Sequence, residues 1–200
     1  MKKLVVYLHG KGGSAEEAAH YKPLFPGRDV IGLDYQAQTP WDAREELIPL
    51  MESFRREYDS ISLIANSVGA FFALSSLAHQ PLEQALLISP VVDMEQLIGD
   101  MMKWANVTEP QLMEQGQIET PFGETLSWDY LCYVRAHPIC WDIPTSILYG
   151  EQDHLTSYET ISRFSNRIGA ELTVMPKGEH WFHTDEQMAF LDAWVRRTIR

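Results

Sequence analysis

The sequence predicts an α/β fold, in which a mostly parallel sheet of about six strands is flanked by helices. Three observations lead to this prediction. The chain has 200 residues, of which 45% are hydrophobic, and this is enough for one domain with a sizeable core. Short apolar runs recur along the chain, with segments of helical periodicity between them. Continuous apolar runs of this length are typical of strands that are buried on both faces of a parallel sheet.

The strands are predicted from six runs that are nearly all apolar and strand-sized. In chain order they are 3–8 (KLVVYL), 29–34 (DVIGLD), 61–65 (ISLIA), 85–89 (ALLIS), 145–149 (TSILY) and 171–175 (ELTVM). Parallel neighbours need crossover connections, so we expect helices between the strands to cover both faces of the sheet.

The helices are predicted from apolar spacing and from capping signals. Segment 43–58 has apolar residues at helical spacing, although Pro49 is expected to kink this helix or to end its first part. Two further helices are predicted from capping-box spacing, in which a threonine is followed three residues later by Glu or Gln. The pairs are Thr156 with Glu159 and Thr184 with Gln187.

One segment, 93–141, interrupts this alternation. It has no strong parallel-strand signal but is rich in aromatic residues and methionine, with a short amphipathic helix expected over 94–102 and a tight turn over 120–124. We therefore predict one domain, 1–200, in which 93–141 is an inserted lid. The lid has eight acidic and two basic residues, which disfavours polyanionic substrates. Candidates for the substrate pocket are Trp104, Trp128 and Tyr130.

Charge and composition exclude several classes of function. The net charge of −12 disfavours nucleic acid and anionic membranes as partners. No apolar stretch approaches the roughly 20 residues of a membrane span, so a cytoplasmic protein that acts on a small molecule is expected. Cys132 and Cys140 lack CxxC spacing and the histidines are scattered, so we predict free thiols and no metal site.

A candidate nucleophile lies between a predicted strand and a buried helix. The sequence Ala65-Asn66-Ser67-Val68-Gly69 has small residues on either side of the serine, as a sharp strand-to-helix turn requires. A serine at a helix N-terminus lies where free amides and the helix dipole favour an oxyanion. Taken alone, the pattern is equally compatible with Ser67 as a helix cap.

The loop after the first strand adds a second signal. Segment 8–14 (LHGKGGS) has neither of the glycine spacings that cradle phosphate. Together with the turn at Ser67, this loop resembles the α/β-hydrolase family, in which two main-chain amides hold the oxyanion. The resemblance implies that these are the amides of Lys11 and Val68. It also implies an α/β-hydrolase fold in a minimal form.

The same resemblance supplies an acid and a base. Segment 150–153 (GEQD) follows the fifth strand and resembles the turn that carries the family's acid, which implies that Asp153 has this role. Segment 176–182 (PKGEHWF) follows the last strand and resembles the loop with the family's base, which implies His180. The chain order of serine, acid and histidine is also that of the family.

Alternative residues remain open for both roles. His183 competes with His180 for the base, and Asp93 and Glu151 compete with Asp153 for the acid. By contrast, His9 and Asp34 are interpreted as structural residues that bond to nearby backbone.

The resemblance implies a serine hydrolase that cleaves small carboxylic esters without a cofactor. The aromatic lid favours substrates with a hydrophobic acyl or alcohol group. One alternative is a thioesterase or another acyl hydrolase with the same residues. A second is a protein of this fold that binds a ligand or a partner without catalysis.

Overall fold

The computed structural model describes residues 1–199. The strands are β1 Lys3–Leu8, β2 Asp29–Gly32, β3 Ser60–Asn66, β4 Gln84–Ile88, β5 Gln117–Glu119, β6 Thr125–Ser127, β7 Thr145–Gly150 and β8 Glu171–Met175. The helices are α1 Ala18–Tyr21, α2 Pro40–Phe54, α3 Ser67–Ser76, α4 Met94–Trp104, α5 Glu109–Gln115, α6 Trp128–Ala136, α7 Tyr158–Ile168 and α8 Asp185–Thr198. Two short 3₁₀ turns, Ala15–Glu17 and Lys22–Leu24, flank α1.

Six strands form one parallel sheet in the order β2-β1-β3-β4-β7-β8, which confirms the predicted fold class. In β1, Val6 lies beside Ile31 of β2 and Leu63 of β3. Residues 4–8 are at most 1% exposed, and successive side chains of a strand point to opposite faces. Both faces of β1 are therefore covered, as its nearly continuous apolar sequence predicts.

Helices α1 and α8 contribute to the core on one face of the sheet. Val5, Ile64 and Leu148 belong to this core, together with Trp194 of α8 and Tyr21 of α1. Burying large apolar side chains in this way stabilises each by about 1.5–3 kcal/mol relative to exposure. The packing holds α1 and α8 beside the carboxyl ends of the strands, where the loops of the site begin.

Helix α2 runs through Pro49, so of the two expected effects the proline does not end the helix. The proline removes one backbone hydrogen bond, that to the carbonyl of residue 45. Both Glu45 and Pro49 are exposed, so water can reach the carbonyl that is left over. The helix begins after Thr39, whose side chain accepts a hydrogen bond from the amide of Asp42.

The two predicted helix starts have different outcomes. Thr184 caps α8 and accepts a hydrogen bond from the amide of Gln187, which confirms that prediction. The prediction that Thr156 caps α7 is wrong. Ser157 is the cap, with the amide of Thr160 bonded to its hydroxyl, because the Thr156 amide instead donates to the carboxylate of Asp153.

The chain divides into two compact units, residues 1–92 with 140–199, and residues 93–139. The second unit contains α4 to α6 and the antiparallel pair β5–β6, which turns through Thr120–Glu124. Within this unit Arg135 pairs with Glu95 and Glu109. Trp141 bonds to Thr145 in the first unit. That the insertion acts as a lid stays a prediction.

Within residues 1–199, no helix has the length and apolar character needed to cross a membrane.

Candidate active site

Ser67 lies at a sharp turn where β3 ends and α3 begins. Its backbone φ is 49°, in the left-handed region that non-glycine residues adopt only when the surrounding structure imposes it. The turn brings α3 close to the first loop. A Cβ added to Gly69 would lie 2.2 Å from the carbonyl oxygen of His9, so only glycine fits at this position.

His180 reaches Ser67 from the loop after β8. The Oγ atom of Ser67 lies 2.8 Å from Nε2 of His180. The two residues are 113 positions apart in the chain, so the contact depends on the parallel sheet, which places the ends of β3 and β8 at the same edge. The side chain of His180 is 20% exposed.

Asp153 completes a continuous line of hydrogen bonds. Its Oδ2 atom lies 2.7 Å from Nδ1 of His180, and its Oδ1 atom accepts bonds from the amides of Leu155 and Thr156 at 2.8 and 3.2 Å. The side chain has no exposed surface. Backbone donors therefore satisfy the buried carboxylate and fix its direction toward His180. With Nδ1 protonated, Nε2 is the atom that accepts a proton from the serine.

Close backbone packing joins the loops of Asp153 and His180. A Cβ added to Gly150 would lie 2.4 Å from the carbonyl oxygen of Glu179. Next to this contact, the amide of Gln152 donates to the carbonyl of Gly178 at 2.7 Å. The glycine in GEQD therefore allows the acid loop and the histidine loop to lie against each other, which sets the distance between the two side chains.

The first loop forms a tight turn beside Ser67. The amide of Gly13 donates to the carbonyl of Gly10 at 3.1 Å, and Lys11 is the second residue of this turn. Tyr35 supports the loop, because its hydroxyl donates to the carbonyl of His9 and its ring stacks on the imidazole. Val68 lies in the first turn of α3, where amides lack partners within the helix. The oxyanion roles of Lys11 and Val68 stay predictions.

The alternative residues have partners of their own. His183 stacks on Trp181, and its Nδ1 atom lies 2.8 Å from the carbonyl of Trp181. Asp93 caps α4, and Glu151 accepts a bond from the amide of Lys177. None of these three lies in the line of hydrogen bonds described for Ser67 and His180. Nearby, His9 bonds to its own loop through Gly10, and Asp34 accepts a bond from Gln36.

A cavity of about 580 Å³ lies beside Ser67. It is bordered by the first loop, by α1 and by the start of α8, and much of its wall is apolar. The apolar residues are Ile88, Leu155, Trp181, Phe182, Met188 and Leu191. The residues around it belong to the first unit, whereas Trp104, Trp128 and Tyr130 belong to the second. Their part in substrate binding stays a prediction.

Sequence reasoning missed a polar cluster at this cavity, formed by Tyr7, Glu17 and Asn66. The hydroxyl of Tyr7 donates to Glu17 and accepts a bond from the side-chain amide of Asn66 at 2.9 Å. Burial raises the pKa of Tyr7 well above its usual range, and the nearby Tyr21 and Glu17 raise it further. A tyrosine in a buried strand needs a partner for its hydroxyl, but the sequence does not show which residues supply it.

No group of three or more His, Cys, Asp or Glu side chains in residues 1–199 is arranged to hold a metal ion. The expectation that the reaction needs no cofactor stays a prediction.

Several known proteins resemble this chain in structure. No family model matches the chain. Among solved structures, Est1E from Butyrivibrio proteoclasticus is similar to 98% of this chain and 86% of its own, with a TM-score of 0.81 and 17% identity. Mouse alpha/beta hydrolase domain-containing protein 10 is similar to 97% of this chain and 88% of its own, with a TM-score of 0.76 and 15% identity.

A curated protein is similar over a shorter stretch. The protein named Putative esterase/lipase 3, from Mycoplasma genitalium, is 32% identical over 75 residues, which are 36% of this chain. The chain spans 27% of the length of that relative. The structural likenesses cover nearly the whole chain and show its fold, which is the α/β-hydrolase fold.

Proposed function

We propose that the chain is a serine hydrolase that cleaves small carboxylic esters through an acyl-enzyme. Ser67 is the nucleophile, His180 the base and Asp153 the acid that orients the base. The observation that carries this proposal is the continuous line of hydrogen bonds, at 2.8 Å from Ser67 to His180 and 2.7 Å from His180 to Asp153. A serine hydroxyl is a weak nucleophile at neutral pH, and a base held in this way activates it.

Acylation begins when Oγ of Ser67 forms a bond to the ester carbonyl carbon while its proton passes to Nε2 of His180. The carbonyl oxygen becomes an oxyanion, which the main-chain amides of Val68 and Lys11 stabilise. Collapse of this intermediate breaks the bond to the alcohol oxygen, and His180 donates its proton to the leaving alcohol. The buried carboxylate of Asp153 stabilises the imidazolium that forms in between.

Deacylation repeats these steps with water. His180 takes a proton from water as its oxygen bonds to the acyl carbon, and the proton then returns to Oγ of Ser67 when the acyl bond breaks. The products are a carboxylic acid and the regenerated enzyme. Apolar residues around the cavity favour a substrate with a hydrophobic acyl or alcohol group.

Substitution of the serine tests the proposal. We expect Ser67→Ala to lower kcat for p-nitrophenyl butyrate by at least about ten-thousandfold, because no hydroxyl remains to form the acyl-enzyme. Ser75→Ala is the matched control, since that serine lies in the same helix and its hydroxyl donates to the carbonyls of Phe71 and Phe72. We expect it to retain turnover. Retained turnover in a folded Ser67→Ala protein would assign the nucleophile to another residue.

A further inference from the structure

One side of the cavity beside Ser67 is polar and has negative charge. Glu17, Asn66 and the hydroxyl-bearing rings of Tyr7 and Tyr21 border it there. A cavity that held only an alkyl chain would gain nothing from these groups, because polar groups that face an apolar ligand lose hydration without replacement. Their placement within reach of the nucleophile therefore points to a polar group on the substrate.

The cluster has more hydrogen-bond acceptors than donors. Glu17 accepts one bond on each carboxylate oxygen, from the amide of Ser14 at 3.1 Å and from the hydroxyl of Tyr7. A carboxylate has about four acceptor sites, so about two remain. The side of the cavity beside Glu17 can thus accept a donor that comes with the substrate.

A second carboxylate, Asp192, lies near this side and is paired with His20 and Arg196. Asp192 of α8 lies 2.7 Å from Nε2 of His20, which also borders the cavity. Burial raises the pKa of Tyr21, and the negative charges of Glu17 and Asp192 raise it further. Lys11 also borders the cavity, and its positive charge opposes that of Glu17; both side chains are exposed. The chain as a whole has a charge of −12, which attracts cations.

We infer that the cavity selects esters that have a hydrogen-bond donor, above all an ammonium group, on an apolar chain or ring away from the ester bond. Glu17 binds this donor. The inference rests on the proposed function. The apolar wall contacts the chain or ring, and the carboxylate of Glu17 lies on the polar side of the same cavity.

A series of matched esters measures this selectivity. The p-nitrophenyl esters of ω-aminohexanoate, ω-hydroxyhexanoate and heptanoate have chains of similar length and differ in the terminal group. The monoester of adipate adds a negative terminal group. Acetylcholine and its uncharged isostere, dimethylbutyl acetate, test the alcohol side in the same way. We expect kcat/KM to be about fivefold higher for a cationic ester than for its neutral partner, and lowest for the adipate ester.

Two variants that each remove one negative charge distinguish an effect of Glu17 at the cavity from an effect of the net charge of the protein. Glu17→Gln removes the charge at the cavity but keeps the size of the side chain. Glu16→Gln removes a neighbouring exposed charge that does not border the cavity. We expect the ratio of cationic to neutral kcat/KM to fall to about one in Glu17→Gln and to stay at the wild-type value in Glu16→Gln. A structural role of Glu17 alone would change both rates equally and leave the ratio unchanged.

The outcomes distinguish the two proposals. A preference that is lost only in Glu17→Gln supports the inference, and the amino and hydroxyl esters then show which donor is bound better. Turnover of all the esters without preference, or with a preference that persists in Glu17→Gln, overturns the inference and leaves the proposed function standing. Absence of turnover with every ester, the neutral ones included, overturns the proposed function and this inference with it.

Discussion

The two ends of the parallel sheet are built in different ways. At the carboxyl ends of the strands, Ser67 has a left-handed backbone and Asp153 has a fully buried carboxylate. At the amino ends, charged side chains pair near the surface. Glu83, just before β4, accepts a bond from Ser60 and pairs with Lys3 and Arg28.

The carboxyl end of the sheet is organised for catalysis, whereas the amino end contributes to stability. Strain and close backbone approach at the carboxyl end hold side chains in positions that simple stability would not favour. Ion pairs at the amino end connect neighbouring strands and touch none of the residues of the site. Substitutions at one end are therefore expected to change activity, and at the other end to change the free energy of unfolding.

The largest effect is expected at His180. We expect His180→Ala to lower kcat by at least about ten-thousandfold, because Ser67 then has no base to take its proton. His183 lies in the same loop, its side chain is 40% exposed, and its partners lie within the loop. We therefore expect His183→Ala to lower kcat by no more than about threefold. Steady-state kinetics with p-nitrophenyl butyrate checks both, and the opposite ranking would move the base to His183.

A somewhat smaller loss is expected at Asp153. Asparagine is similar in size, but it cannot both accept the bond from Nδ1 of His180 and supply the negative charge. We expect Asp153→Asn to lower kcat by about a thousandfold to ten-thousandfold. Glu151→Gln is the matched control, since this carboxylate lies in the same turn and accepts a bond from the amide of Lys177. Equal kinetic losses in the two variants would count against a special role for Asp153.

The smallest effect is expected at the amino ends of the strands, where a substitution should change stability and leave activity unchanged. We expect Glu83→Gln to lower the free energy of unfolding by up to about 1 kcal/mol, because the pairs with Arg28 and Lys3 are partly exposed. Denaturation with urea measures this difference. We expect kcat to stay at the wild-type value. A large kinetic loss in this variant would break the separation between the two ends of the sheet.

The stability effect at Glu83 depends on pH in a known direction. The hydrogen bond from Ser60, followed by Arg28 and Lys3, lowers the pKa of Glu83. A glutamate in the unfolded chain has a pKa of about 4.3, and above this pH the ionised carboxylate stabilises the folded state fully. The stabilisation is lost as the pH falls through the lower pKa that Glu83 has in the folded protein. The difference between wild type and Glu83→Gln should therefore be constant near neutral pH and disappear in acid. A difference that grows as the pH falls would contradict this account.

Much of the fold could be predicted because buried parallel strands have a simple signature. The run KLVVYL forms β1, and every residue from Leu4 to Leu8 is buried. Because successive side chains alternate between the faces, both faces of this strand are covered. Local signals were less reliable where two partners competed. Thr156 has the spacing of a cap, but the carboxylate of Asp153 holds its amide and the next residue caps α7.

The candidate site could be predicted only in part. The turn at Ser67 and the loops of Asp153 and His180 have local patterns that resemble a known family, so the three residues could be named. The cluster of Tyr7, Glu17 and Asn66 could not, because it joins a strand, a 3₁₀ turn and the residue before the nucleophile. No spacing in the chain marks that combination, and only the folded sheet brings its members together.

Labelling with a fluorophosphonate asks whether Ser67 is an activated nucleophile, and it does not require the right ester. The wild type, Ser67→Ala and Ser75→Ala would each be incubated with the reagent, and their intact masses measured. We predict one adduct on the wild type and on Ser75→Ala, and none on Ser67→Ala. A folded wild type that gains no adduct, or a Ser67→Ala protein that is labelled as fast as the wild type, would contradict the account of this site.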